Sequence, residues 1–164
     1  MEKNITVTYG AGKGATTLAA FDAALLDAGI GNYNLIHLSS IIPVGCVPVV
    51  QKAKLNDDEN FGDRMYVVIA EQRETRKGHE AWAGLGWVST ATQPRKGLFV
   101  EHCGENEDEV MTKINKSLAS MTEYRKESYG PIQHKTMGIT CQDEPVCAVV
   151  AAIYDTEGWK RSSE

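Results

Sequence analysis

Residues 34–45 read NLIHLSSIIPVG. An apolar, strand-like run at 35–38 stops at Ser39 and Ser40, resumes for two isoleucines, and then ends at a proline. Two hydroxyl side chains in the middle of a hydrophobic strand predict that the strand breaks here. The break is either an ordinary turn or a place where a serine reacts with its own backbone.

The length, charge and composition of the chain restrict what kind of protein it can be. At 164 residues it is most simply a single domain, 1–164, with one substantial core. A net charge of -5 argues against binding nucleic acid through phosphates. The first residues lack the apolar core of a secretory signal, and no run reaches the ~20 apolar residues that span a bilayer. We therefore expect a cytoplasmic protein with no membrane partner, whose four cysteines stay reduced.

Hydrophobic periodicity predicts a mixed α/β chain. The predicted strands are 5–9, 34–38, 65–71, 82–92, 97–103, 134–141 and 146–154, and the predicted helices are 16–28 and 106–124. Two helices are too few for a doubly wound parallel sheet. They suit a layered sandwich in which each helix covers a sheet.

Two familiar kinds of site are disfavoured by spacing. The glycine-rich stretch GAGKGATT at 10–17 lacks the spacing of a phosphate-binding loop, so we interpret it as a flexible connection into the first helix. The four histidines and four cysteines include no zinc-ligand spacing. We therefore expect no metal site.

The serine pair has a reactive interpretation. In a strained backbone, the Ser40 hydroxyl attacks the Ser39 carbonyl and converts the amide into an ester. Elimination then cleaves the chain, and hydrolysis leaves a pyruvoyl group at the new amino terminus. The reaction needs a fixed geometry and a donor for the oxyanion, for which the amide of Asn34 is the candidate. On the residues alone, a plain turn stays the alternative.

Five short motifs carry a family resemblance. They are G-x-G-x-G at 10–14, AFDAAL at 20–25, AGI-x-N-x-N-L at 28–35, LSSIIP at 38–43 and G-x-F-x-E at 97–101. Together they resemble the pyruvoyl-dependent arginine decarboxylases over most of the chain. Val44 stands where many members carry a second proline, a departure outside the serine pair.

The resemblance implies a self-processing enzyme with a four-layer αββα sandwich of mostly antiparallel sheets and two long helices. Cleavage between Ser39 and Ser40 would give a β chain, 1–39, and an α chain, 40–164, that begins with a pyruvoyl group made from Ser40. This covalent group is the cofactor, without metal or pyridoxal phosphate (PLP). The substrate is arginine, and the products are agmatine and CO2. The family forms trimers or hexamers with active sites between subunits.

The resemblance also assigns roles to side chains outside the serine pair. Glu101 is the candidate acid that protonates the substrate, made a usable donor by burial on its strand. Apart from the resemblance, Glu71 at the end of a predicted strand is the fallback acid. Asp22 matches the family position that binds the guanidinium group by paired hydrogen bonds. Leu18, one helical turn earlier, would pack against the aliphatic stem of the substrate.

Two alternatives stay open at this point. The same chemistry could act on another amino acid, such as histidine or ornithine. The chain could also be an unprocessed, non-catalytic subunit of the same fold. The residues do not separate a role in polyamine synthesis from one in acid resistance.

Overall fold

The computed structural model describes residues 1–54 and 58–159. Across them the chain forms nine strands, two α-helices and a short 3-10 helix at Asp58–Asn60. In chain order the larger elements are β1 (Lys3–Lys13), α1 (Thr17–Asp27), β2 (Asn34–His37), β3 (Ile41–Ile42), β4 (Cys46–Val50), β5 (Arg64–Glu74), β6 (Glu80–Ser89), β7 (Gly97–Gly104), α2 (Glu107–Glu123), β8 (Gln133–Thr140) and β9 (Val146–Glu157). All the predicted helices and strands are present. The sequence prediction missed β3 and β4.

The strands form two sheets. A five-stranded sheet has the order β2-β5-β9-β1-β4, and a four-stranded sheet has the order β3-β7-β6-β8. Five of the seven strand pairings are antiparallel; β1 with β4 and β2 with β5 are parallel. The predominance of antiparallel pairs agrees with the prediction.

Three hydrophobic clusters separate four layers. One lies between α1 and the five-stranded sheet, one between the two sheets, and one between the four-stranded sheet and α2. The αββα sandwich is therefore confirmed. Neither α-helix in the described part of the chain is long and apolar enough to cross a membrane.

The predicted flexible loop at 10–17 is wrong in its first half. Gly10 and Gly12 lie inside β1, where α1 packs directly on the strand. A Cβ at Gly10 would stand 2.4 Å from the carbonyl oxygen of Ala24, and one at Gly12 would stand 2.5 Å from the Ala24 nitrogen. These glycines serve the close approach of helix and sheet rather than a turn.

The serine pair lies where the chain crosses from one sheet to the other. Leu38, just beyond β2, donates its N–H to the carbonyl of Val67 in the five-stranded sheet, at 2.8 Å. Ser40, just before β3, accepts the N–H of Phe99 in the four-stranded sheet, also at 2.8 Å. Ser39 is thus held on each side by a different sheet, and both β2 and β3 are edge strands.

We predict that Gly10→Ala destabilises the protein by about 1–3 kcal/mol, since the new methyl group overlaps the α1 backbone. Urea unfolding of the two proteins measures the difference. Gly130→Ala is the matched control, because a Cβ there meets its nearest atom at 3.6 Å. Equal unfolding free energies for Gly10→Ala and the control would contradict this account of the packing.

Candidate active site

Ser40 and Glu101 meet at the crossing between the sheets. The Ser40 hydroxyl donates to Oε2 of Glu101 at 2.6 Å, joining residues that are 61 positions apart. The pairing of Ser40 with Phe99 aligns the crossing segment with β7, and Glu101 lies two residues further along that strand. A period of two places Phe99 and Glu101 on the same face. The structure therefore brings together two of the predicted catalytic residues.

The carbonyl of Ser39 is also held. The backbone N–H of Ile41 donates to the Ser39 carbonyl oxygen at 2.7 Å, which closes a three-residue turn with Ser40 at its centre. Ser39 is exposed and Ser40 is half-buried. The hydroxyl, the peptide carbonyl before it and a carboxylate thus lie within one short segment.

Tyr154, which the sequence analysis did not identify, completes the support of this segment. Its hydroxyl donates to the carbonyl oxygen of Ile41 at 2.8 Å, and its ring packs at 6.2 Å from the ring of Phe99. Burial, with a smaller contribution from the charge of Glu101, raises the pKa of Tyr154. One signal was available: Tyr154 continues the inward-facing alternation of β9, and a phenol on an apolar face needs a hydrogen-bond partner.

A shallow depression lies beside the pair. It has a volume of about 250 Å3, and its lining includes Ser40, Glu101, His102, Ser117 and Met121. Nε2 of His102 and Oγ of Ser117 are 2.7 Å apart. Burial, followed by the charge of Lys113, lowers the pKa of His102 against a smaller opposing effect of Glu101, which favours the neutral form of the ring. A small molecule at Ser40 would contact neutral polar groups here and the Glu101 carboxyl.

The two candidate acids differ in position. Glu101 is exposed in the single chain. The prediction that its strand buries this side chain is therefore wrong for one chain alone. Glu71 pairs with Arg73 at 3.1 Å, and Arg73 in turn stacks on Phe21 of α1, at 4.8 Å from the ring centroid. Glu71 therefore faces the helix layer. Glu101 is the acid that contacts Ser40.

Three predicted site residues lie apart from this pair. Asn34 opens β2 and donates its amide to the Gly62 carbonyl at 2.7 Å, whereas Ser39 follows the other end of that strand. Five extended residues span about 16 Å. Asp22 and Leu18 lie on the outer face of α1, both exposed, and Asp22 makes no hydrogen bond or ion pair within the described residues. A single chain does not bring these three residues to Ser40.

A cluster of possible metal ligands lies elsewhere. Ligand atoms of Glu74, His79 and Glu105 are within 4.8 Å of one another, a grouping that the spacing argument did not anticipate. The guanidinium of Arg76 bonds both carboxylates, at 2.7 Å for Glu74. This pairing lowers the pKa of the Glu74 carboxyl to about 2. Arg76 therefore already provides a positively charged partner for both carboxylates of this cluster.

These features define a class of α/β protein: a four-layer sandwich with a preformed serine site. The serine is held against a carboxylate where the chain crosses between the two sheets. A family model described as pyruvoyl-dependent arginine decarboxylase matches residues 4–158. The chain belongs to the pyruvoyl-dependent arginine decarboxylase family.

Relatives of the same description cover most of the chain. The pyruvoyl-dependent arginine decarboxylase of Halobacterium salinarum is 31% identical over 152 residues, 92% of each chain. That of Pyrococcus abyssi is 30% identical over 152 residues, 92% of this chain and 94% of its own. A solved pyruvoyl-dependent histidine decarboxylase aligns with 64% of this chain and 55% of its own, at a TM-score of 0.44 and 16% identity, too distant to bear on the substrate.

The raised pKa of Tyr154 yields a titration prediction. A raised pKa keeps the phenol protonated through its ordinary range near pH 10, so its hydrogen bond to Ile41 persists there. The ultraviolet absorbance of tyrosinate in wild type and in Tyr154→Phe should rise equally up to pH 10. In denaturant, wild type should show one additional ionising tyrosine. A native-state difference near pH 9 would contradict the burial of this phenol.

Proposed function

We propose that this chain cleaves itself between Ser39 and Ser40 and then decarboxylates L-arginine to agmatine and CO2. The observation that carries the proposal is the 2.6 Å hydrogen bond from the Ser40 hydroxyl to Glu101. Family membership supports the choice of reaction, and the description of the relatives as arginine decarboxylases supports the choice of substrate. The Ser40 side chain is the precursor that a pyruvoyl group requires.

Self-cleavage begins with a proton transfer to Glu101. Its carboxylate takes the hydroxyl proton of Ser40 while Oγ attacks the carbonyl carbon of Ser39. The bond from that carbon to the Ser40 nitrogen then breaks, the proton passes to the nitrogen, and an ester joins the two parts.

The ester then eliminates. Loss of the Cα proton of residue 40, with departure of the Ser39 carboxylate from Cβ, cleaves the chain and leaves dehydroalanine. Water converts this residue into a terminal pyruvoyl group and releases ammonia. The products are the β chain, 1–39, and the α chain, 40–164, which stay together because both contribute strands to the five-stranded sheet.

Decarboxylation uses the same carboxyl group a second time. A pyruvoyl carbonyl supplies the electron sink for the pair released when an amino acid loses CO2. Glu101 contacts residue 40 before cleavage, which supports its proposed role as the acid that delivers a proton to the α-carbon of the substrate. The ring of His102 lines the same depression, and its lowered pKa favours the form that carries no charge.

We further propose that arginine is recognised by Asp22 and Leu18 of a neighbouring copy in a trimer or hexamer. Both side chains are exposed one helical turn apart on α1, and Leu18 is 66% exposed although it is a large apolar residue. A carboxylate that has no partner among the described residues, next to an apolar side chain, suits a guanidinium group on an aliphatic stem. The four free cysteines suit a cytoplasmic location.

Glu101→Gln should slow self-cleavage on the order of 100-fold or more, because an amide cannot take the hydroxyl proton. The fraction cleaved against time after rapid purification measures the rate. Glu123→Gln removes an exposed carboxylate at the end of α2 and should cleave like wild type. Rapid cleavage in Glu101→Gln would exclude Glu101 as the base.

Asp22→Ala should lower kcat/KM for arginine about 100-fold, the effect of losing roughly 3 kcal/mol of charge-assisted hydrogen bonding. Self-cleavage should be unchanged, because Asp22 makes no bond to the serine segment. Agmatine formation measured on fully cleaved protein tests both statements, with Asp108→Ala on α2 as the control. Unchanged arginine kinetics in Asp22→Ala would remove this residue from substrate recognition.

A further inference from the structure

We propose that a pocket just after α2 binds a small organic anion with an aliphatic body, a ligand of a different class from arginine. The pocket lies at the edge of the four-stranded sheet and has a volume of about 390 Å3. Its lining comes from residues 41–44 at β3, residues 96–98 at the start of β7, and residues between 125 and 129. Sites for small ligands begin at about 300 Å3, so a ligand of this kind fits.

This pocket is separate from the depression beside Ser40. Among the described residues the two have no lining residue in common, and Glu101 belongs to the depression. Every residue that lines the pocket follows Ser40 in the chain, so cleavage between Ser39 and Ser40 would leave the lining in one piece. The anion site therefore does not depend on the proposed self-cleavage.

Part of the lining is an aliphatic surface. Ile41 and Val44 are 51% and 62% exposed, although both are large apolar side chains. The buried residues Ile42 and Leu98 line the same pocket. An aliphatic chain on this surface would remove the two exposed side chains from water, which is favourable in proportion to the area covered. The surface therefore predicts an apolar body for the ligand.

The rest of the lining is mainly positively charged. It includes Lys96, Arg125 and Lys126, and its carboxylate among the described residues is Glu127, which pairs with Lys96 at 2.6 Å. Lys126 is exposed and makes no hydrogen bond or ion pair within the part of the chain that the structure describes. The whole chain carries a net charge of -5, so this region reverses the overall sign. It repels the guanidinium group of arginine and attracts an anion.

Tyr129 adds a neutral donor to these charges. It is half-buried in the same lining, and its hydroxyl has no hydrogen-bond partner within the described residues. The backbone of Tyr129 forms a bridge with Thr90, and the Arg125 guanidinium donates to the carbonyl of Met121 at 2.8 Å. A carboxylate has two acceptor oxygens, so it can accept from a phenol and an ammonium group at once. The lining therefore matches an aliphatic carboxylate.

Octanoate is the probe that tests this site. It is titrated into the wild-type protein, isotope-labelled at the methyl groups of isoleucine and valine, and binding is followed by NMR. We expect saturable shifts of the Ile41 and Val44 methyl signals, with those of the buried Ile5 and Val7 unchanged. Octylamine has the same chain and the opposite charge, and it should bind about 10-fold more weakly or less.

Two variants identify the groups that hold the anion. Lys126→Gln should weaken octanoate binding about 10-fold, because it removes a charged donor. Lys116→Gln is the matched control, since it removes an exposed lysine of α2 that lies outside the pocket lining. Val44→Asp should weaken binding by about the same factor or more, because its carboxylate repels that of the probe. All three positions are exposed, so unfolding should stay close to wild type.

Each outcome decides the proposal. Shifts confined to the pocket, together with the losses in Lys126→Gln and Val44→Asp, support the anion site. Equal binding of octanoate and octylamine overturns it, and so does equal octanoate affinity in Lys126→Gln and Lys116→Gln. Ile41 and Val44 methyl signals that do not respond to octanoate overturn it as well. Self-cleavage is measured separately by intact mass, and its absence would leave the anion site standing.

Discussion

The arrangement of the candidate site depends on one crossing, where the chain leaves the edge of one sheet and joins the edge of the other. Leu38 is bonded to the first sheet and Ser40 to the second, so Ser39 is held from both sides. A turn in solvent would let the Ser40 hydroxyl rotate freely. Here the two sheets and their shared hydrophobic core fix the backbone on either side of the bond that the proposed chemistry breaks.

The crossing also explains why the reacting groups come from distant parts of the sequence. Pairing of the segment with β7 places Glu101 against the hydroxyl, and the core between the sheets places Tyr154 against the carbonyl of Ile41. Each partner is attached to a sheet strand, which is the kind of rigid support that a preorganised site needs. The proposed substrate-recognition residues on α1, by contrast, point away from the chain that carries them.

The layers were predictable from the sequence because the spacing of apolar residues indicates which face of a helix or strand is buried. Both helices and the long strands follow from residues that alternate or repeat at helical spacing. It misjudged Gly10 and Gly12, since a glycine that admits a helix backbone looks the same in sequence as a glycine that turns the chain. Of the site, Ser40 and Glu101 were identified through family motifs. The Ile41 amide was missed because a backbone donor leaves no mark on residue identity. Tyr154 was missed although its place in the inward-facing alternation of β9 was a signal for it.

The intact mass of the purified, denatured protein is the direct test of the proposed self-cleavage. We expect two chains divided between Ser39 and Ser40, with the larger one beginning in a pyruvoyl group, and a single full-length chain from Ser40→Ala. A single full-length chain from wild type, persisting through prolonged incubation of the folded protein, would contradict it. The serine pair would then be only a turn between two sheets.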